Sequence, residues 1–269
     1  MAISAWDDYL IHQSSKTVDQ MESDDIDAME RLYVGCHNSD GKLHFASGLG
    51  VYPNRNVMDG YICVRRGKVQ HNLRVSRHLA DDRADMRVGP VSFEIIEPQR
   101  RWAVQVEDND SGIAGRVEFT GRGPAWMTAP PSHYDQLGRF EGSIVLQGET
   151  IDVNGFIGAR DRSWGVRQAN LFGGQGWGGH FWIHVHFSSF CLTLVHAGIW
   201  DGNPRCGAAI IRDDGNVTPM NEMRHRIDFE EGVRALNGLE IQFRDDPGAE
   251  PRLVGTRISP AIYFNGGGY

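Results

Sequence analysis

The chain has 269 residues, enough for one large or two small domains with hydrophobic cores of their own. Its formal charge of −8 and pI near 5.7 argue against a nucleic-acid partner, because phosphate binding needs a basic face. No apolar stretch approaches the roughly 20 residues that cross a bilayer, and the first residues, with Asp7 and Asp8, do not resemble a signal peptide, so we expect a cytoplasmic protein without a membrane span.

The predicted elements are one helix followed by many short strands. Ser23 can cap a short N-terminal helix over residues 23–31, in which Ile26, Met29 and Leu32 have helical spacing. The 33 glycines exceed the usual share of about 7% and lie between short apolar runs, which is typical of strands joined by tight turns. An all-β fold follows.

The predicted strands alternate with turn sequences along the rest of the chain. They cover residues 34–36, 43–51, 59–65, 70–75, 91–96, 102–107, 115–119, 140–147, 150–156, 180–198, 208–212, 224–229, 239–244 and 253–258. Gly- and Pro-rich stretches at residues 121–132 and 173–179 predict long loops. Twelve or more strands exceed what one small barrel needs, so we predict two β lobes, residues 1–168 and 169–269.

The cysteines and the common catalytic motifs exclude several kinds of site. Cys36, Cys63, Cys191 and Cys206 lie far apart without a C-x-x-C spacing, which predicts buried, reduced thiols. The chain has no phosphate-binding glycine loop, G-x-S-x-G elbow or H-E-x-x-H motif. Nucleotide, serine-hydrolase and zincin chemistry are therefore not expected.

The densest charged cluster runs from residue 158 to residue 167. It holds one carboxylate, Asp161, among the three guanidiniums of Arg160, Arg162 and Arg167, and nearby positive charge favours an ionised carboxylate. Two interpretations stay open. Asp161 is either an active-site residue or part of an ion-paired turn in which it holds Arg160 or Arg167.

Residues 180–187 alternate strictly between polar or aromatic and apolar side chains. In a strand this places His180, Trp182, His184 and His186 on one face and the apolar residues on the other. If the apolar face packs into the core, the His and Trp face lines a cavity or meets solvent. Three imidazoles and an indole are more than solvent exposure requires, so we favour the cavity, with a histidine acting as acid, base or hydrogen-bond donor.

A metal site at the same strand is a weaker alternative. The spacing His184-x-His186 is similar to the iron or manganese motif of cupins, but residues 187–194 supply no carboxylate. Two further segments have residues suited to a pocket. Tyr134 follows the Pro-rich loop and offers a phenol, and Trp126 in that loop can cap the cavity.

The segment Gly158-x-Arg160-Asp161-Arg162-Ser163-Trp164-Gly165-Val166-Arg167 resembles the Asp-His-x-Trp-Gly box of the carotenoid hydratase and AttH-like superfamily, in a bacterial branch. Supporting matches lie at residues 29–33, 101–102 and 134–139 and in the strand that bears Trp182. The resemblance implies two lipocalin-like lobes with a deep apolar cavity at their junction, and no metal or organic cofactor. In the hydratase branch the boxed Asp helps to protonate a double bond. Asp161 is the matching position, while Arg162 replaces the family's His.

These observations predict a cofactor-independent hydratase, cyclase or isomerase acting on a terpenoid, steroid-like or aromatic substrate. The predicted catalytic residues are Asp161, His180 and His184, because a protonated carboxyl or imidazolium in a dry pocket can protonate an alkene. The predicted substrate contacts are the aromatic and cationic residues Trp164, Trp177, Trp182, Tyr134, Trp126, Arg160 and Arg162, whose ring faces would stabilise a cation.

Two other functions remain open from the sequence. The first is a lipocalin-like carrier that binds the same hydrophobic compounds unchanged. The second is a metal-dependent β-barrel oxygenase. In each case the expected partner is a hydrophobic small molecule, with no nucleic acid, and a homodimer stays open.

Overall fold

The computed structural model describes residues 3–12, 20–80, 82–129, 132–166, 180–197, 205–220, 222–232, 236–244 and 252–256. Nearly all of this is β structure, and the helical elements described are 3-10 turns at Ala5–Asp8 and Pro53–Arg55. None of the described helices is long and apolar enough to span a membrane. The predicted all-β fold class is confirmed.

The predicted helix over residues 23–31 is wrong. Ser23 Oγ and Asp25 Oδ1 each accept a hydrogen bond from a backbone N–H two residues on, which closes turns instead of starting a helix. Strand β1 then begins at Ala28. Met29 and Leu32, on opposite faces of this strand, are both buried, so a strand covered on both sides imitates helical spacing.

Twelve antiparallel strands form the first sheet, in the order β4-β3-β2-β1-β12-β10-β8-β7-β6-β5, with β9 and β11 also paired to β10. Their bounds are Ala28–His37 (β1), Leu43–Tyr52 (β2), Val57–Arg66 (β3), Val69–His78 (β4), Arg87–Val88 (β5), Val91–Glu97 (β6), Arg101–Val106 (β7), Ile113–Gly121 (β8), Trp126–Ala129 (β9), His133–Leu146 (β10), Glu149–Asp152 (β11) and Phe156–Val166 (β12). The sheet curls into a nearly closed barrel.

The charged segment of residues 158–166 lies in strand β12, at the centre of this sheet, and is not a turn. It pairs with β1 on one side and with β10 on the other. Of the two interpretations left open, the one that made this segment a turn is therefore wrong for residues 158–166, while a pairing of Asp161 with Arg167 falls outside the described residues. Likewise, the predicted loop over residues 121–132 contains strand β9, whose Trp126 pairs in register with Asp135 of β10.

The second lobe contains a four-stranded and a three-stranded sheet. The strands of the first are His180–His186 (β13), Phe190–Ala197 (β14), Arg205–Arg212 (β15) and Val217–Met220 (β16); those of the second are Glu222–Phe229 (β17), Leu236–Arg244 (β18) and Arg252–Thr256 (β19). Leu192 and Leu194 of the four-stranded sheet pack on Ile241 of the three-stranded sheet. Cys36, Cys63 and Cys191 are buried free thiols, as predicted, and the Cys206 side chain is outside the description.

The outer face of the first sheet contacts the second lobe. Leu137 and Ala159 pack on Cys191 and Ile211 of β14 and β15. Arg122 fastens the contact, because its Nε lies 2.6 Å from Asp213 Oδ1 and its other nitrogens donate to the carbonyls of residues 187 and 188. The predicted boundary at residue 168 falls outside the described residues and stays a prediction.

Candidate active site

Alternation along β12 sends its polar side chains to two different faces of the sheet. Arg160 and Arg162 point into the barrel, beside core residues such as Val34 and Leu32 that pair with them in register. Asp161 points to the outer face, where the second lobe lies, and pairs in register with Asp135 of β10. The predicted site residues therefore divide between an inner and an outer face.

The inner face is an ion-pair network with the N-terminal segment of residues 5–12. Asp8 is fully buried; its Oδ1 lies 2.8 Å from Arg160 Nη1 and accepts a 2.7 Å hydrogen bond from the Tyr134 hydroxyl. Trp102 Nε1 donates to the other oxygen at 3.1 Å, and the Arg160 guanidinium stacks 4.1 Å above the Trp102 ring centroid. Protein groups therefore hold both oxygens of Asp8 and the Nε and Nη1 of Arg160, while Arg160 Nη2 has no hydrogen-bond partner among the described residues.

Glu30 is the second buried anion of the inner face. Its carboxylate pairs with Arg162 at 2.9 Å, with His12 at 3.0 Å and with Arg83. Burial alone would raise the pKa of Glu30, but its bond to His12 and the charges of Arg162, His12 and Arg83 lower it overall, so it is ionised. Trp164 stacks on the His12 ring at 3.8 Å between centroids.

Four predicted substrate contacts are therefore in structural positions. Arg160, Arg162 and Tyr134 have no exposed surface, and Trp164 covers the N-terminal segment. Their substrate-binding role has no support from this geometry, and we leave them out of the candidate site. Asp161 does not hold Arg160, which pairs with Asp8 instead.

On the outer face, the fully buried carboxylate of Asp135 collects donors from both lobes. Its Oδ1 lies 3.2 Å from Trp182 Nε1 and 3.2 Å from His133 Nε2, and its Oδ2 accepts a 3.3 Å hydrogen bond from the Thr193 hydroxyl. His184 Nε2 lies 3.7 Å from Oδ2, which is ion-pair range but too long for a hydrogen bond. This nitrogen is buried without a hydrogen-bond partner among the described residues.

The surroundings of Asp135 keep it ionised. Burial alone would raise the pKa of this carboxyl, but the charge and hydrogen bond of His133, followed by the close approach of His184, outweigh burial and hold the pKa well below its usual range. A buried carboxylate that contacts an imidazole fixes its tautomer and orientation and stabilises its protonated form. Asp135 can do this for two imidazoles at once.

Asp161 adds a second carboxylate to this cluster. One ligand atom each of His133, Asp135 and Asp161 lies within 4.8 Å of the others, a donor set that also suits Fe²⁺ or Mn²⁺. The metal pair considered from the sequence is arranged differently. His184 faces Asp135, whereas His186 Nε2 donates to the Gly158 carbonyl at 2.9 Å.

Strand β13 has the alternation predicted from the sequence. Trp182, His184 and His186 all face the first lobe, while Ile183 and Val185 pack into the core of the second. Trp182 lies centrally, with its ring centroid 4.7 Å from that of His184, 5.3 Å from that of Tyr33 and 6.3 Å from that of His133.

Three predicted site residues remain, Trp126, His180 and Trp177, and the structure describes the side chain of the first alone among them. Trp126 lies at the lobe contact, packed against the cluster that includes Leu137. His180 belongs to β13, but its side chain is outside the description, and Trp177 lies outside the described residues altogether. Both stay predictions.

Asp135, His133 and Thr193 were not among the site residues predicted from the sequence. The signal in residues 133–137 is weak, because His133 and Asp135 have the spacing of one strand face but Gln136 breaks the alternation of polar and apolar side chains. The segment also directly follows the predicted loop of residues 121–132. Thr193 shows no such signal, since its place opposite Asp135 depends on how the two lobes dock.

A family model covers nearly the whole chain. The model described as "Family of unknown function (DUF8625)" matches residues 3–269. The chain belongs to this family. No curated protein sequence matches the chain.

Solved structures similar to this member of the family share its fold. Kievitone hydratase from Nectria haematococca is 8% identical over 80% of this chain and 73% of its own, with a TM-score of 0.55. CghA, solved with and without Sch210972, is 12% identical over 84% of this chain and 74% of its own, with a TM-score of 0.59. These similarities support the lipocalin-like fold expected from the carotenoid hydratase resemblance.

Proposed function

We propose that the chain is a cofactor-independent enzyme that hydrates, cyclises or isomerises a hydrophobic, unsaturated small molecule by general acid–base catalysis where the two lobes meet. The observation that carries the proposal is the buried, ionised Asp135 between two imidazoles, one from each lobe. A carboxylate in this position can orient an imidazole and accept a hydrogen bond from it, and an imidazolium is a proton donor suited to an alkene. Similarity in fold to kievitone hydratase is consistent with this chemistry.

In the proposed mechanism His184 is the acid, because its Nε2 lies 3.7 Å from Asp135 and has no hydrogen-bond partner among the described residues. The imidazolium gives its proton to one alkene carbon, and the positive charge that develops on the other carbon is stabilised by the Trp182 ring face. Water adds to that carbon and loses a proton to the neutral imidazole, which restores the acid. Loss of a neighbouring proton, or attack by an internal nucleophile, would give an isomer or a ring instead.

The other outer-face residues would have supporting roles. Asp135 orients His184 and His133 and stabilises their charged forms without touching the substrate. Asp161, opposite Asp135 in register, would receive the proton or position the water. The proposed role of His180 as a further acid is kept, since it shares the strand that carries Trp182 and His184.

The test is turnover of a panel of unsaturated phenolic, terpenoid and steroid-like compounds, followed by mass spectrometry for the gain of one water or for a new isomer. His184→Gln and Asp135→Asn should each lower turnover by about 10²–10⁴-fold, the usual contribution of general acid–base catalysis. Arg66→Met, which removes an exposed ion pair with Glu149, is the matched control and should keep full activity.

Two outcomes would replace the proposal. Tight binding of panel compounds without any conversion would assign the chain as a carrier. Turnover that is lost with a chelator and restored by Fe²⁺ or Mn²⁺ would assign a metal-dependent enzyme with His133, Asp135 and Asp161 as ligands. Full activity in both His184→Gln and Asp135→Asn would refute the acid–base assignment.

A further inference from the structure

Arg31 is a cation on the outer face of β1 that lacks a direct counterion. It lies opposite Gly50 of β2 and Ser163 of β12, and it is partly buried. No direct hydrogen bond or ion pair joins its guanidinium to a described residue, in contrast to Arg160 and Arg162 on the inner face. Burial alone would lower the pKa of Arg31, but the charges of Tyr52, Asp59, Tyr61 and Asp161 raise it overall, so the guanidinium stays charged. A charged guanidinium without a direct anion is suited to an anionic ligand.

Glycines on β1 and β2, near Arg31, leave room for two tyrosine rings to lie against the outer face of the sheet. The Tyr33 ring lies over Gly35, so that a Cβ there would be 2.1 Å from the Tyr33 hydroxyl oxygen. In the same way, a Cβ on Gly48 would be 2.6 Å from Cε1 of the Tyr61 ring. The Tyr33 ring therefore lies over β1 and the Tyr61 ring over β2, and the charge of Tyr61 acts on the Arg31 guanidinium.

The charges around Arg31 leave it attractive to an acidic oxygen. Asp59 and Asp161 are its acidic neighbours, and each acts on Arg31 through its charge, with no direct ion pair to Arg31 between these described residues. Burial raises the pKa of Asp59, against the opposing effect of Arg31, and so disfavours its charge. Burial, with the charges of Tyr61 and Asp161, raises the pKa of Tyr33 well above its usual value, which keeps this phenol a neutral donor.

This surface is continuous with the acid–base cluster. Tyr33 pairs in register with Asp161, which pairs in turn with Asp135, and the Tyr33 ring lies edge-on to Trp182 at 5.3 Å between centroids. A ligand that reaches from Arg31 to His184 would therefore cross the face of Trp182.

We infer that Arg31, with the hydroxyls of Tyr33 and Tyr61, binds an ionisable oxygen of the substrate, so that the substrate class is an unsaturated carboxylate, phenolate or enolate and not a hydrocarbon. A planar guanidinium matches such oxygens through two parallel N–H donors, and the phenols add further donors. The inference rests on the proposed function only in calling the ligand a substrate; the binding site itself does not depend on turnover.

The test compares two probes of similar size, 2-naphthoate and 2-methylnaphthalene, by Trp fluorescence quenching and calorimetry. The protein should bind 2-naphthoate at least about tenfold more tightly, and Arg31→Met should weaken that probe by about tenfold to a hundredfold while leaving 2-methylnaphthalene unchanged. Arg31→Lys should retain part of the preference, because it keeps the charge and loses the paired donors. Arg66→Met is again the control for lost surface charge.

The outcomes separate this inference from the proposed function. Equal affinity for the two probes, or a preference that survives in a folded Arg31→Met variant, overturns the role of Arg31 even if His184→Gln abolishes turnover. An Arg31-dependent preference in a protein that converts no compound supports the binding site and counts against the enzyme. Thermal unfolding of each variant shows whether a lost preference reflects lost structure.

Discussion

The two faces of the first sheet, around β1 and β12, use the same kinds of residue for opposite purposes. On the inner face, Arg160 lies 2.8 Å from the buried carboxylate of Asp8, and Arg162 lies 2.9 Å from that of Glu30. On the outer face, the guanidinium of Arg31 has no direct anion among the described residues. Buried ion pairs of this kind hold a fold together, whereas a cation without a direct anion can still bind a ligand.

The same contrast applies to the two buried acids. Glu30 and Asp135 are both ionised against burial, but Glu30 is held by two arginines and a histidine, and Asp135 mainly by histidines. A guanidinium stays protonated, so the Glu30 cluster is fixed. Imidazoles exchange protons near neutral pH, so the Asp135 cluster can do chemistry.

The largest expected effect is on the inner face. Glu30→Gln leaves the buried guanidiniums of Arg83 and Arg162 without their anion and should lower the free energy of unfolding by about 3–5 kcal/mol. Chemical denaturation measures this. Glu149→Gln, in an exposed pair with Arg66, should change it by less than about 1 kcal/mol, and similar losses in both variants would contradict the comparison.

The next effect concerns the packing of β12 against β1. A Cβ on Gly158 would lie 1.9 Å from the Gly35 carbonyl oxygen, so Gly158→Ala should force the strands apart and lower stability by about 1–3 kcal/mol or more. Gly238→Ala is a suitable control, since its nearest contact would be an ordinary 3.6 Å. A Gly158→Ala variant as stable as this control would show that the two strands adjust freely.

A pH series sharpens the comparison on the outer face. Burial lowers the pKa of His186 to about 4, from an ordinary value of 6.5. Between these values the unfolded chain takes up a proton that the folded chain does not, so stability is complete above pH about 6.5 and falls as the pH drops towards 4. His186→Gln should flatten the thermal unfolding profile in that window, and an unchanged slope would exclude His186 as its source.

The smallest effect on stability is expected at His184, although its effect on turnover is the largest in the proposed mechanism. Its Nε2 has no hydrogen bond to lose among the described residues, so His184→Gln should change the free energy of unfolding by less than about 1 kcal/mol. A loss as large as that of Glu30→Gln would identify His184 as a structural residue.

Local sequence patterns predicted most of the strands and the facing of their side chains. They did not predict contacts between residues that are far apart in the sequence. Alternation in residues 180–187 correctly assigned the facing of Trp182 and His184, because a strand fixes that facing locally. The same rule applied to β12 would have separated Asp161 from Arg160. The pairing of Arg160 with Asp8, 152 residues away, has no local signal, so a structural arginine resembled a functional one.

The N-terminal segment also sets an order for the assembly of the first lobe. Residues 7 and 8 are synthesised early, but their partners in β10 and β12 emerge only after residue 133. Contacts of such long sequence separation close late in folding. Until these contacts form, Arg160 and Arg162 lack their partners in the N-terminal segment. A fragment that starts at β1 would contain all twelve strands of the first sheet but would lack Asp8, the buried carboxylate that pairs with Arg160.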